Sequence, residues 1–188
     1  MERPAIVFLD RDGTIIEDMH FISRPDDVRV LPGAAEAIAR LNRGGIPVVV
    51  VTNQSGIGRG YFGPEEYERV NERISAELAK AEAHIDAVYH CPHAPRGDDP
   101  CPCRKPGTAL FAEALAKFGI SGSRAAFVGD KVRDVSPALP FGGTGYLLVT
   151  PVTSAEDVEW AEREARTVAS LSEAVDRMLG LTHPPPPA

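Results

Sequence analysis

No apolar run in the 188 residues comes near the roughly 18–20 needed to cross a bilayer as a helix, which removes a helical membrane span from consideration. Positive charge is also in deficit. Twenty Lys and Arg stand against 27 Asp and Glu, giving a net charge of −7 and a pI of about 5.2. A chain of that sign is unsuited to non-specific binding of nucleic acid or an anionic membrane, and neither is expected as a partner. If the substrate is itself an anion, cationic side chains must be gathered locally. Aromatics make up only 6% and there is one tryptophan, while 43% of the residues are apolar, enough for a real core. The opening Met-Glu-Arg-Pro has no basic segment followed by an apolar stretch, so a cytoplasmic protein is expected. Cysteine is scarce as well: three residues, Cys91, Cys101 and Cys103, all in one short stretch. An odd, clustered set speaks against a disulfide framework and leaves metal binding open.

What is present alternates between strand and helix signals. Ala5 to Leu9 reads as a buried strand, Ala34 to Leu41 as a helix after Pro32-Gly33, and Ile46 to Val51 as a central strand with four consecutive valines. Pro64 opens a long helix that should run to about Ala83, with Glu65 and Glu66 at the positive end of its dipole. Ala87 to His90 is a short strand, Thr108 to Phe118 a helix, and Ala125 to Val128 and Tyr146 to Val149 two further strands. A last strand is expected at Thr167 to Ala169. Ser170 then has the look of a helix N-cap, with Glu173 completing a capping box. Residues 183–188 hold four consecutive prolines and read as a disordered tail after a single domain over 1–182. Such alternation predicts an α/β fold: a three-layer, Rossmann-like parallel sheet with helices on both faces. Ligands in these folds bind beyond the carboxyl ends of the strands.

Four polar segments follow expected strands. Asp10-Arg11-Asp12-Gly13-Thr14 sends two carboxylates off a strand end, one able to attack phosphorus and the other to exchange a proton with the leaving group or water. By itself, Asp-x-Asp-Gly is usually a polar turn, and the remaining ligand positions of a calcium loop are missing. Thr52-Asn53-Gln54-Ser55-Gly56 offers hydroxyl, amide and backbone donors to phosphate oxygens, or simply a capped turn. Arg104-Lys105-Pro106 supplies a point charge and a planar fork, though a basic pair is most often solvated. Gly129-Asp130-Lys131, with Asp134 beyond, offers the carboxylate oxygens that Mg²⁺ prefers. Singly each is weak; together, in this order, they form a strong pattern.

The motifs Phe-Leu-Asp-Arg-Asp-Gly-Thr, Val-Thr-Asn-Gln-Ser-Gly, Arg-Lys-Pro and Val-Gly-Asp-Lys resemble the haloacid dehalogenase superfamily of phosphatases. The resemblance implies that Asp10 is nucleophile and Mg²⁺ ligand, and that Asp12 is general acid/base with its backbone carbonyl on Mg²⁺. It further implies that Thr52 and Lys105 hold the phosphoryl oxygens. Asp130 would complete the Mg²⁺ ligands, with Asp134 supporting them from behind.

Cys91-Pro92-His93 and Cys101-Pro102-Cys103 form C-x-H and C-x-C pairs, a fitting tetrahedral Zn²⁺ set of Cys91, His93, Cys101 and Cys103. With four protein ligands no position stays open, so the zinc would be structural. Its expected task is to set the loop that presents Arg104 and Lys105. His90, one residue away, is expected to point elsewhere.

With this loop included, the motifs resemble the heptose bisphosphate phosphatase branch of the superfamily, with histidinol-phosphate phosphatases close beside it. That resemblance implies no large cap domain and a small phosphorylated metabolite as substrate. A monomer is expected. Local residues would shape the pocket: Asp18, His20, Asn53, Gln54, Ser55, Arg104 and Lys131. Two features depart from the usual pattern. Gly107 follows Arg-Lys-Pro at once, and Pro137 and Pro140 should end the helix after Asp134 early. Histidinol-phosphate hydrolysis is the near alternative, and a catalytically retired binding protein on the same fold is the alternative from a different class.

Overall fold

The computed structural model describes residues 3–95 and 101–181. The proline tail at 183–188 and positions 96–100 of the cysteine loop lie outside the described residues. Six strands form one parallel sheet among the described residues: β1 (Ile6–Leu9), β2 (Val48–Asn53), β3 (Ala87–Cys91), β4 (Ala125–Gly129), β5 (Thr144–Leu148) and β6 (Arg166–Val168), in the order β3-β2-β1-β4-β5-β6. The strand order reverses at β1, between β2 and β4, so a crevice opens beside the carboxyl end of β1.

Strand alternation sends residues to two cores. Val7, Leu9, Val48, Val50, Ala126 and Val128 pack against α1 (Ala34–Arg43), α3 (Pro64–Ala79) and α8 (Leu171–Leu179), with the short α2 (Ser55–Gly58) between β2 and α3 in the chain. Ile6, Phe8, Val49, Val51 and Phe127 face the other way, against α4 (Ala109–Phe118) and α6 (Ala138–Phe141). Phe8 lies edge-on to Phe111, with ring centroids 5.2 Å apart. Leu147 meets Val135 of α5 (Val132–Val135) and Ala161 of α7 (Ala155–Glu164) on that same side. Both faces are therefore covered, which is why the strands read as continuous apolar runs. The three-layer expectation holds, and no cap domain interrupts the described residues.

Several boundaries differ from the sequence reading. The long helix stops at Ala79, and Glu82 takes a left-handed φ of 58° before the buried Ala83 tucks into the core. The second strand begins at Val48, two residues later than expected, and runs on through Asn53. The fifth begins two residues earlier, at Thr144, and ends at Leu148. Helix α7 was not anticipated because it buries only Ala161 and so shows little apolar periodicity. Its signal was Ser154, whose Oγ accepts the Asp157 N–H at 3.1 Å. Ser170 caps α8 as expected, but the Glu173 carboxylate takes the Ala169 N–H rather than that of Ser170. The chain after Asp134 does break early, into the four-residue helices α5 and α6.

Candidate active site and metal cluster

Asp10 leaves the end of β1, its N–H bonded to the Val128 carbonyl at 2.9 Å. The chain then turns tightly through Gly13 at φ +83°. A Cβ there would sit 2.5 Å from Asp130 Oδ2, so glycine allows the carboxylate after β4 to close on the loop after β1. Asp10, Asp130 and Asp134 converge, with one ligand atom from each lying within 4.8 Å of the others. They are 9, 5 and 4% exposed. Burial pushes the Asp134 carboxyl up to about 6, against the pull of the Lys105 charge, and it also raises Asp130. The oxygen-only donor set and the approach that Gly13 permits fit a hard divalent cation.

Lys105 is the organising cation. Its Nζ donates to Asp10 Oδ1 at 2.7 Å and to the Val51 carbonyl at 2.6 Å, and it pairs with Asp134 Oδ1 at 2.8 Å. Burial alone would favour losing its proton, but the Asp10 and Asp134 carboxylates more than reverse that and hold it charged. Lys131 pairs with the Asp130 carboxylate, and its own N–H bonds Asp134 Oδ2 at 3.1 Å.

Asp12 is held from two sides. Gln54 Nε2 donates to its Oδ2 at 2.8 Å and also to Thr52 Oγ1 at 2.9 Å. Arg11 grips both its oxygens at 3.1 Å. Burial raises the Asp12 pKa despite the Arg11 charge, which favours the protonated form that a general acid needs. Asn53 does not face the cleft freely: its side-chain amide brackets the Lys105 backbone, accepting the N–H at 3.0 Å and donating to the carbonyl at 3.2 Å. Asn53 and Gln54, expected to bind substrate, both line the cleft, and these bonds tie them to the Lys105 backbone and to Asp12.

The expected pocket residues Asp18, His20, Ser55, Arg104 and Lys131 all line one cleft of about 270 Å³ with Asp10, Asp12, Thr52, Lys105, Asp130 and Asp134. Asp18 Oδ1 accepts the His20 N–H at 3.1 Å, a local turn that accommodates positive φ at His20 and Phe21. Arg133 lines the cleft too and was not anticipated.

Arg11, part of the first motif, was given no role by the sequence reading. It is only 2% exposed, and its guanidinium lies 5.5 Å from the Tyr67 ring centroid and 3.3 Å from Asn71 Oδ1. It ties Asp12 to α3. A cation between two site aspartates was the available signal. Arg11→Lys keeps the charge but loses the fork. We predict kcat falls about tenfold with KM little changed, since a charge-assisted bond is worth about 1.5–3 kcal/mol; unchanged kcat in steady-state assays would refute the role.

Beyond β3 lies the second cluster. The four expected ligand atoms form all six close contacts: Cys91–Cys103 at 3.1 Å, Cys101–Cys103 at 3.2 Å, Cys91–Cys101 at 3.6 Å, and His93 Nδ1 to the three sulfurs at 3.2–3.6 Å. These are edges of a tetrahedron whose centre lies about 2 Å from each vertex, close to Zn–N and Zn–S lengths and far from a disulfide. Three thiols so close cannot all ionise without a cation. Against burial, hydrogen bonds with its neighbours bring Cys101 down to about 6, while burial and the other two sulfurs push Cys103 up to about 12. His90 turns away, its ring 4.3 Å from that of Tyr67.

The cluster is bolted to the catalytic loops. The Cys91 carbonyl accepts the Gln54 N–H at 2.8 Å, the Pro92 carbonyl the Gly58 N–H at 2.8 Å, and the Cys101 carbonyl the Arg104 N–H at 3.1 Å. Position 107 has room only for glycine, since a Cβ there would lie 2.5 Å from the Pro102 carbonyl oxygen.

The fold and site define a class: the chain belongs to the haloacid dehalogenase-like hydrolase family, whose model matches residues 17–142. The chain is 36% identical over 182 residues to the D-glycero-beta-D-manno-heptose-1,7-bisphosphate 7-phosphatase of Escherichia coli, covering 93% of this chain and 94% of that one. It is 34% identical over 137 residues to the protein of the same name from Haemophilus influenzae, covering 71% and 74%. Its structure superposes on the D,D-heptose 1,7-bisphosphate phosphatase of B. bronchiseptica, solved with magnesium and phosphate, with a TM-score of 0.84 at 30% identity, covering 96% and 99%. No helix among the described residues is long and apolar enough to cross a membrane.

Proposed function

We propose that this protein is a Mg²⁺-dependent phosphatase that removes the 7-phosphate of D-glycero-D-manno-heptose 1,7-bisphosphate through an aspartyl-phosphate on Asp10. One observation carries the chemistry: the Lys105 ammonium is buried between Asp10 and Asp134 at 2.7 and 2.8 Å, beside Asp130. Three converging carboxylates meet two paired lysines, so a phosphate dianion entering this site needs further positive charge. Mg²⁺ held by Asp10, the Asp12 backbone carbonyl and Asp130, with Asp134 behind, would supply that neutralisation.

The chain's own residues do the rest. Lys105 fixes Asp10 by Oδ1, leaving Oδ2 to attack phosphorus in line. As the P–O bond to the sugar breaks, Asp12 gives its proton to the leaving oxygen. The ionised Asp12 then takes a proton from water, whose oxygen attacks the aspartyl-phosphate and releases inorganic phosphate and free Asp10. Gln54 and Arg11 hold Asp12 in line for both transfers. Lys105 and Thr52 stand ready for the phosphoryl oxygens, with Arg104, Lys131 and Arg133 at the cleft wall for the second anionic group of a bisphosphate. Cys91, His93, Cys101 and Cys103 would hold Zn²⁺ as a structural ion, and with it the Arg104–Lys105 loop would be locked in place.

Likeness to the Escherichia coli protein over nearly the full length of both chains supports the heptose substrate. The test is kcat/KM for heptose 1,7-bisphosphate, histidinol phosphate and other sugar phosphates, with and without Mg²⁺. We expect the heptose bisphosphate to exceed histidinol phosphate at least about tenfold, the size of discrimination a few polar contacts supply, and activity to vanish without Mg²⁺. A preference for histidinol phosphate would overturn the substrate, and hydrolysis of no ester would restore the retired-enzyme reading.

A further inference from the structure

Arg11 and Asp12 are neighbours in the chain, and both hang from the loop that follows β1. A guanidinium and a carboxylate one residue apart can fix each other, but not their common direction: if the loop rocks, the pair rocks with it. Proton delivery needs the carboxyl within hydrogen-bond reach of a leaving oxygen whose place is set by Asp10. Gln54 supplies one contact from outside the loop, to Asp12 Oδ2 at 2.8 Å. A single bond to one oxygen is a pivot about which the other can swing. Asp12 Oδ1 takes its hydrogen bond from Arg11 Nη2 at 3.1 Å, so its place is only as firm as that of the guanidinium.

The far edge of that guanidinium is held by α3. Arg11 Nη1 donates to Asn71 Oδ1 at 3.3 Å, across 60 positions of sequence. Helix α3 is a rigid frame of 16 residues that buries Tyr67, Val70, Ile74 and Leu78. Asn71 directly follows Val70, which is wholly buried, so its backbone is pinned to the core. Tyr67, one turn earlier, lays its ring under the guanidinium, 5.5 Å from centroid to Cζ. An amide suits this place. A carboxylate at position 71 would be a second anion competing with Asp12 for the Arg11 charge, and an apolar side chain would offer no acceptor. Asparagine accepts the bond without neutralising the cation.

We infer that Asn71 is a positioning residue for the proton transfer: by fixing Arg11 from α3 it sets the direction of the Asp12 carboxyl that serves the leaving oxygen. This rests on the phosphatase reading, with Asp12 as general acid. The role makes its effect depend on the leaving group. A sugar alkoxide leaves poorly unless it is protonated as the P–O bond breaks, whereas p-nitrophenolate is stable enough to leave without a proton. A misaligned acid therefore slows the sugar ester and spares the aryl ester. General loosening of the site would slow both, because Asp10 and Lys105 serve both alike.

The test is the Asn71→Leu variant of the zinc-loaded full chain, assayed with Mg²⁺ on heptose 1,7-bisphosphate and on p-nitrophenyl phosphate. Loss of one hydrogen bond to a charged group should lower kcat/KM for the sugar ester about five- to tenfold, while kcat/KM for p-nitrophenyl phosphate stays within about twofold of wild type. The aryl assay also reports that the site is folded; if Asn71→Leu is not recovered folded, Asn71→Ala is read by the same pair of assays. Equal losses on the two esters, or no loss on either, would overturn the inference. If wild type cleaves the aryl ester but not the heptose ester, the substrate assignment fails and the comparison is made with an alkyl phosphate that it does cleave. If wild type cleaves neither, the phosphatase reading fails and this inference falls with it.

Discussion

Replacing Asp10 by asparagine should reduce kcat/KM by about 10⁴-fold or more, some 5 kcal/mol of transition-state stabilisation at 1.36 kcal/mol per decade. The amide is isosteric but cannot form the acyl phosphate, so the covalent route is closed rather than slowed. The fold should survive, because Lys105 keeps Asp134 at 2.8 Å and the Val51 carbonyl at 2.6 Å as partners for its buried charge. A Tm within roughly 5 °C of wild type is expected, given that 1 kcal/mol moves Tm by about 2–4 °C in a chain of this size. Assay of Asp10→Asn beside a melting curve checks both halves. Wild-type-like turnover would refute the nucleophile, and collapse of the fold would show that Asp10 is structural.

The second large effect concerns the sulfur cluster. Cys103→Ala removes the sulfur that makes the shortest contact to Cys91, at 3.1 Å, and opens the set to water. Because metal binding to such a set is also folding free energy, we expect Tm to fall by roughly 10 °C and zinc content by emission spectroscopy to drop from one ion per chain to well below one. Activity should fall with it, since the Cys101 carbonyl positions Arg104 and the Cys91 carbonyl positions Gln54. A variant that retains zinc, stability and turnover would remove the cluster from the account. Loss of zinc with full activity would confine it to a role away from the Lys105 loop.

The chemistry was legible in the sequence to the extent that each group follows a strand. Asp10, Thr52 and Asp130 are announced by apolar runs that end abruptly in polar residues, and parallel strands bring their ends together without further information. The sulfur set was legible because ligands two residues apart must share a partner. Long-range bracketing was not. Nothing in Asn53 says that it will bridge to the backbone of Lys105, 52 residues away, and nothing local to Arg11 says that α3 supplies Tyr67 and Asn71 to cover it. These contacts depend on loop geometry that tertiary packing sets. Helix α7 escaped because an exposed helix buries too little to leave a periodic trace.

The central claim is that phosphorus is transferred to one carboxylate, that of Asp10. Acid quench of the enzyme during turnover, followed by borohydride reduction and peptide mass spectrometry, reads this directly, because an acyl phosphate is reduced to the alcohol whereas a free carboxylate is not. The account predicts reduction at position 10 that depends on both substrate and Mg²⁺, with Asp12 unmodified. Reduction at Asp12 or Asp130, or none anywhere under conditions where product accumulates, would contradict it.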